Sequence, residues 1–133
     1  FHSCNVLKTI NIPNHISSLP NQCFMNCNSL LVDSLPDALR TIGASCFQNV
    51  RGNTVFTFPS GVVQIGELAF NGCIASLYDF RRVSSVPTLG NVNAFGNIIV
   101  GYKIVVPDAL YDDWIIATNW ATYASKIVKA SEY

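Results

Sequence analysis

The chain has 133 residues, a length typical of one compact domain with its own hydrophobic core. Half of the residues are hydrophobic, but no apolar run approaches the roughly 18 residues of a membrane-spanning helix, so no membrane insertion is expected. Eight basic and eight acidic residues give no net charge, and the lack of a basic stripe argues against nucleic acid as a partner.

Phenylalanine recurs along the chain at a fixed interval. Phe1, Phe24, Phe47 and Phe70 are equally spaced. Apolar residues precede each of the last three by five, eight and twelve positions, and a small residue comes directly before each. This register indicates a repeat protein, in which units too small to bury their own apolar face stack into one continuous core. The alternative is a globular α+β domain whose periodicity is accidental.

The sequence pattern of each unit predicts three short secondary-structure elements, described here in chain order. Residues 10–12 and 56–58 alternate apolar and polar side chains before a proline, which predicts a short strand that the proline ends. Residues 62–65 place apolar side chains three apart, which favours either a second extended segment or a turn. Gly66 permits a sharp change of direction or a positive φ. Residues 66–70 then have the composition of one helical turn that points its phenylalanine into the core.

Two units depart from this pattern. Asp33 falls in a slot that holds apolar residues in the neighbouring units, which indicates either a wetter interior there or a slipped register. The last unit carries an insertion, residues 88–93, between Pro87 and Phe95, and we expect it to bulge from the turn side. A degenerate last repeat is typical of a solenoid that approaches its end.

Residues 102–133 predict a terminal strand followed by a helical cap. Residues 103–107 end at a proline, and Asp108 is a suitable N-cap for the helix that follows. Trp114 and Trp120 lie on apolar faces at helical spacing. The segment is expected to cover the open end of the stack, where unpaired strand edges invite aggregation. The alternative role for the two tryptophans is an aromatic platform for carbohydrate.

The repeat pattern is carried by residues 10–13, 35–47 and 58–73, where a strand ending in proline is followed by a further apolar segment and by the small residue before phenylalanine. This pattern resembles the BspA-like class of leucine-rich repeats over about residues 1–96. The resemblance implies an α/β-type repeat solenoid with units of roughly 23 residues, short parallel strands, short helical turns and a helical C-terminal cap.

The resemblance also implies a domain organisation. Residues 1–101 would form the solenoid and residues 102–133 its terminal strand and cap, within a single compact domain. The repeats would lie near residues 1–7, 8–30, 31–53, 54–76 and 77–101. Because Phe1 and Cys4 already occupy repeat slots, the first repeat lacks its own strand and cap. We therefore expect a further N-terminal domain, or a packing partner, at this uncapped end.

The function implied by the resemblance is binding. BspA-like repeats occur largely in surface proteins of host-associated bacteria and in some parasitic protists. Residues 106–111 and 119–124 resemble a segment that often follows such repeats in gut bacterial and phage-encoded surface proteins. A secreted or surface-displayed, non-catalytic module that engages a host protein or glycan is therefore expected. The alternative is a structural spacer or assembly domain of a larger surface or phage tail protein, with a hydrolase accessory domain as a third possibility.

The inventory of reactive residues does not favour an enzyme. His2 lies at the start of the chain and His15 in a polar turn slot, and no catalytic motif is present. The five cysteines follow the repeat and contain no Cys-x-x-Cys pair, so neither a metal site nor any other cofactor site is predicted. Their expected role is that of small buried apolar side chains, and a disulfide framework is the alternative.

The predicted binding surface is the outward side of the strands. In repeat proteins this side forms one continuous patch. The predicted ligand-binding residues are Lys8, Thr9, Asn11, Val32, Ser34, Val55, Thr57, Tyr78, Arg81 and Arg82. Val32 and Val55 together would indicate a protein contact, or they are ordinary strand formers on a solvated face.

Overall fold

The computed structural model describes residues 1–96 and 99–133. Residues 97 and 98, within the predicted repeat 77–101, lie outside the described residues. Each repeat forms one turn of the chain, here called a rung, and the rungs stack so that their strands pair in parallel. The strands are β1 (Ser18–Leu19), β2 (Thr41–Ile42), β3 (Val55–Thr57), β4 (Gln64–Ile65), β5 (Leu77–Asp79), β6 (Thr88–Leu89), β7 (Lys103–Val106) and β8 (Ile127–Lys129).

The first sheet has the order β1-β2-β4-β6 and is regular. Ser18 pairs with Thr41 and Thr41 with Gln64, so the offset is the same in both cases and equals the spacing of the phenylalanines. The apolar residue of each strand is buried: Leu19, Ile42, Ile65 and Leu89. Of the two alternatives for residues 62–65, the extended segment is the one observed. Part of the insertion predicted to bulge, Thr88–Leu89, instead continues this sheet as β6.

The second sheet has the order β3-β5-β7-β8. Its strands run along the opposite stretch of each rung, where the proline-terminated segments were predicted. Phe56 pairs with Tyr78 and Tyr78 with Ile104, and all three are buried. The earliest rungs contribute only an isolated parallel bridge between Thr9 and Leu31.

The corners predicted as helical turns have a different structure. Leu68 (φ 58°) and Gly72 (φ 77°) adopt left-handed backbone conformations, so residues 66–72 form consecutive tight turns. The N–H of Phe70 donates to Ala94 O at 2.8 Å, and that of Gly72 to Gly96 O at 2.7 Å. These N–H groups therefore pair with the next rung, which outweighs the local helical preference of the segment.

The glycines at the start of the corners after β2 and β4 are required by close contact between rungs. A Cβ at Gly66 would lie 2.4 Å from Ala44 N, and one at Gly43 would lie 2.5 Å from Asn21 N. A positive φ occurs at neither position. Of the two roles considered from the sequence, positive φ is therefore not the reason for these glycines.

The core is a column of stacked side chains. The rings of Phe24, Phe47, Phe70 and Phe95 follow one another with centroid separations of 5.5, 5.4 and 5.3 Å. All five cysteines are free, and Cys27, Cys46 and Cys73 are fully buried. These three pack as small apolar side chains, as the repeat pattern indicated, whereas Cys4 and Cys23 are only partly buried.

The C-terminal segment closes the stack with one strand and several short helices. It contains 3-10 helices at Asp108–Leu110, Trp120–Lys126 and Ala130–Glu132, and the one-turn α-helix α1 at Tyr111–Trp114. Strand β8 pairs with β7 and extends the second sheet. Asp108 does not cap its helix with its side chain; its carboxylate accepts a hydrogen bond from Ser131 N at 3.0 Å.

Candidate functional site

The strand face is the solvent side of the second sheet together with residues 8–11 and 31–34, which precede it in the stack. Eight of the ten predicted site residues are exposed. They are Lys8, Thr9, Asn11, Ser34, Val55, Thr57, Arg81 and Arg82. Val32 and Tyr78, with 5% and 0% exposure, lie in the core instead, so their prediction as surface residues is wrong.

A register slip explains both errors. The bridge between Thr9 and Leu31 places Val32, rather than Asp33, in the inward column. Asp33 points to solvent, so the slipped register is correct and the wetter interior is not. Likewise, Phe56 pairs with Tyr78 at an offset shorter than the phenylalanine spacing, which brings Tyr78 inward. Because side chains alternate between faces, a slip by a single position moves each of them to the other side.

Asn53 accommodates this slip between the second and third rungs. Its side chain is 2% exposed and lies between the segment of Val32 and strand β3. Its Oδ1 accepts from Val32 N at 2.8 Å, and its Nδ2 donates to Val32 O at 2.9 Å and Val55 O at 3.1 Å. The amide group therefore takes the place of a peptide unit in the hydrogen-bond ladder between the segment of Val32 and β3. The ladder ends at this point.

Beyond Asn53 the two segments separate and form a cleft. The cleft between residues 32–35 and β3 has a volume of about 220 Å³. Its polar side chains are those of Asp33, Ser34, Asp37, Thr57 and Arg82. Asp33 and Ser34 also line a second cleft, of about 470 Å³, against residues 9–12. Residues 33 and 34 are thus flanked by open space on both sides.

Backbone groups as well as side chains face the first cleft. Thr54 O accepts from Ser76 N and Phe58 N donates to Asp79 O, so the even-numbered residues of this strand pair with β5. Consecutive residues of a strand point their backbone groups to opposite sides, which directs those of Val55 and Thr57 towards the cleft. Within the described residues, no backbone hydrogen bond joins residues 33 and 34 to a neighbouring rung.

Sequence reasoning missed four residues of this site. Leu31, 41% exposed and paired with Thr9, takes the outward position assigned to Val32. Asp33, Asp37 and Asn53 were not predicted as site residues. Asp33 in an apolar slot was the available signal, since it marked the rung whose register differs.

An internal ion pair lies at the far end of the strand face. Arg81 donates to both carboxylate oxygens of Asp79, with the shortest contact at 2.8 Å. Partial burial acts to raise the pKa of Asp79, but the hydrogen bonds and charge of Arg81 outweigh it and lower that pKa below its ordinary value. Arg82 makes no such pair within the described residues and lines the first cleft.

The tryptophans of the cap do not form an exposed platform. Trp114 and Trp120 are both fully buried, with ring centroids 5.2 Å apart. Trp120 Nε1 donates to Pro87 O at 2.7 Å, and Tyr123 Oη donates to Val92 O. These contacts hold the cap on the last rung, and neither indole offers a ring face to a sugar.

The described residues contain no group of three or more histidine, cysteine or acidic side chains that could hold a metal ion. In the same part of the chain, no helix has the length and apolarity needed to span a bilayer.

The repeats of this chain match a known protein family. The model of the BspA type leucine-rich repeat region matches residues 1–108 with six copies. The chain belongs to the BspA-type leucine-rich repeat family. No curated protein matches it. The resemblance inferred from the phenylalanine and proline pattern is therefore confirmed, and membership of this family indicates a surface or protein-interaction module.

Proposed function

We propose that this BspA-type repeat chain is a non-catalytic binding module of a secreted or surface-displayed protein. Its ligand would be an extended segment of a host protein, bound in the cleft between residues 32–35 and β3. The observation that carries this proposal is the interrupted ladder beside Asn53: the Asn53 amide occupies Val55 O, and the backbone of Thr57 beyond it faces the open cleft. Residues 1–101 would supply the binding face, and residues 102–133 would close the stack.

The chemistry of the cleft favours a peptide over a glycan. Extended peptides bind by adding main-chain hydrogen bonds to an exposed strand edge, with side-chain pockets for specificity. Asp33 and Asp37 on one wall would attract a basic side chain, and Arg82 would pair with an acidic one. Exposed Leu31 and Val55 would contribute apolar contact beside the cleft.

The test is selection from a phage-displayed library of random linear decapeptides against the full chain. Selected peptides should bind wild type and lose at least tenfold in affinity to Asp33→Lys or Thr57→Lys. Asp112→Lys is the matched control, because it makes the same charge change at an exposed residue of α1. Peptides that bind all four proteins equally would exclude the cleft, and binding to a glycan array alone would identify a glycan receptor.

The second candidate is a structural spacer or assembly domain. Its supporting observation is the first rung, where a cavity of about 400 Å³ is lined mainly by apolar side chains, among them Ile12, Ile16 and Phe24. Phe1 stacks on Phe24 with a centroid separation of 6.0 Å yet is 62% exposed. A partner or neighbouring domain packed on this end would bury these side chains. A spacer would bind neither the peptide library nor the glycan array, and this outcome separates the two candidates.

A further inference from the structure

Two thiols lie side by side on the first two complete rungs. Cys23 and Cys46 each stand directly before a phenylalanine of the core column. The N–H of Phe24 donates to Cys46 O at 2.9 Å, and the rings of Phe24 and Phe47 stack with centroids 5.5 Å apart. Paired strands of adjacent rungs lie about 4.8 Å apart, which is within the roughly 4.4–6.8 Å that usually separates the Cα atoms of disulfide-linked residues.

The two thiols differ in access and in acidity. Cys46 is fully buried, whereas Cys23 is partly exposed and lines the cavity at the first rung. Interaction with the neighbouring Cys46 thiol lowers the pKa of Cys23 to about 7, although partial burial opposes the change. The same interaction, together with burial, raises the pKa of Cys46. Cys23 therefore has the properties of an attacking thiolate, and Cys46 those of a resolving thiol.

The other thiols have different partners. Cys27 Sγ donates to Phe1 O at 2.8 Å, and Cys73 Sγ donates to Phe47 O at 3.1 Å. The third repeat has Ala69 in the slot of Cys23 and Cys46, so the paired thiols are confined to the first two of these rungs. The same slot shows that alanine fits the core at this position.

We propose that Cys23 and Cys46 form a redox-active pair that a low-molecular-weight disulfide, such as glutathione disulfide, converts into a disulfide bond between the two rungs. The Cys23 thiolate attacks one sulfur of the oxidant, its S–S bond breaks, and one thiol leaves with the proton lost by Cys23. The Cys46 thiol then attacks Cys23 Sγ, and the second thiol leaves with the proton of Cys46. The protein loses two electrons and two protons, and one disulfide is reduced to two thiols.

The bond would tie the second rung to the first rung, next to the pairing of β1 with β2. Residues 23 and 46 enclose the second rung, which contains the clefts on both sides of residues 33 and 34. A cross-link restricts the unfolded chain and stabilises the folded state. Oxidation would thus hold the second rung in place, and reduction would release it.

The test is peptide mapping by mass spectrometry of the reduced full chain after incubation with glutathione disulfide and alkylation. Wild type should yield a Cys23–Cys46 cross-linked peptide and a melting temperature several degrees higher, both reversed by dithiothreitol. Cys46→Ala should stop at a glutathione adduct on Cys23, because the resolving thiol is missing. Cys23→Ala should leave Cys46 unmodified, and Cys4→Ala, the matched control, should cross-link like wild type.

Three outcomes would overturn the proposal. They are a stable glutathione adduct on Cys23 of wild type, a cross-link that involves Cys4, Cys27 or Cys73, and no modification at all. Modification of Cys46 in Cys23→Ala would overturn the assigned roles. Should either alanine variant differ from wild type in its circular dichroism spectrum, the wild-type peptide map alone decides.

Discussion

The two sheets of this solenoid are built from the same stacked rungs. Only the first sheet, however, pairs its strands without interruption from the second rung onwards. In the first sheet, β1, β2 and β4 follow one another at a constant offset, and the glycines after β2 and β4 permit the close approach of the preceding rung. In the second sheet the ladder is interrupted before β3, and a side-chain amide replaces the missing backbone partner.

The difference assigns separate roles to the two sides. In the first sheet, the backbones of adjacent rungs lie so close together that one added Cβ atom would clash with them. This sheet therefore has little room for substitutions. The second sheet tolerates a register slip, and the slip opens a cleft lined by backbone and charged groups. Stacked repeats form extended binding surfaces, and the irregular side is the one that combines such a surface with an open cleft, so it is the better candidate for function.

The largest effect is expected for Asn53→Ala. The change would leave Val32 N–H, Val32 O and Val55 O without the hydrogen bonds that the amide now supplies. An unsatisfied buried polar group costs about 1–3 kcal/mol, so the free energy of unfolding should fall by roughly 3–6 kcal/mol. Urea denaturation at pH 7 measures the change.

The matched control for Asn53 is Asn71→Ala. Asn71 is only partly buried, and its amide makes one hydrogen bond, to Asn93 O at 3.1 Å. Its loss should cost about 1 kcal/mol or less. Equal costs for the two variants would mean that the amide of Asn53 does not hold the interrupted ladder together.

On the first sheet, Gly66→Ala should destabilise the chain by about 2–3 kcal/mol, because the new Cβ would lie 2.4 Å from Ala44 N and adjacent rungs would have to separate. Gly61→Ala is the control, because its Cβ would meet no atom closer than 3.5 Å, and a lower entropy of the unfolded chain should make it neutral or slightly stabilising. A comparison of thermal midpoints tests both, and tolerance of alanine at Gly66 would contradict the close packing of this sheet.

The cap supports both sheets, and its two tryptophans separate packing from hydrogen bonding. Trp120 Nε1 donates to Pro87 O beside β6, whereas Trp114 Nε1 has no hydrogen-bond partner within the described residues. Trp120→Phe should therefore cost about 1–3 kcal/mol more than Trp114→Phe, since both changes remove similar volume from a buried cluster. Urea denaturation of the two variants provides the difference, and equal costs would show that the hydrogen bond contributes nothing to the attachment of the cap.

The regular side was largely predictable from the sequence. Leu19, Ile42 and Ile65 recur at an unbroken interval, and this interval is the one at which the strands pair. Thr88–Leu89, expected to lie in a bulge, continues this sheet as β6 instead. The corners were also mispredicted, because the composition of residues 66–70 favours a helical turn. Hydrogen bonds to the next rung override that local preference, and they become visible only when the rungs are stacked.

The irregular side was predictable only in part. A strictly constant repeat interval places Val32 and Tyr78 outward, whereas the actual offsets between paired residues vary and bring both into the core. Asp33 signalled the slip but not its direction. No periodic argument identifies Asn53, since its side chain acts as part of the backbone ladder, which is a property of two rungs in contact.

The smallest effect is expected at the ion pair of the second sheet. Arg81 lowers the pKa of Asp79 relative to the unfolded chain, so the carboxylate stabilises the fold above the unfolded value of about 4 and loses this contribution as the pH falls through the lower folded value. Asp79→Asn should cost under about 1 kcal/mol at pH 7, because Arg81 is 44% exposed and solvent screens the pair. Urea denaturation at pH 7 and near pH 2 should show this difference at neutral pH and its disappearance in acid. If wild type and Asp79→Asn instead differ by the same free energy of unfolding at both pH values, the effect of Asp79 comes from hydrogen bonds that its neutral form also makes. The charge of the Asp79–Arg81 pair would then contribute nothing to stability at the far end of the strand face.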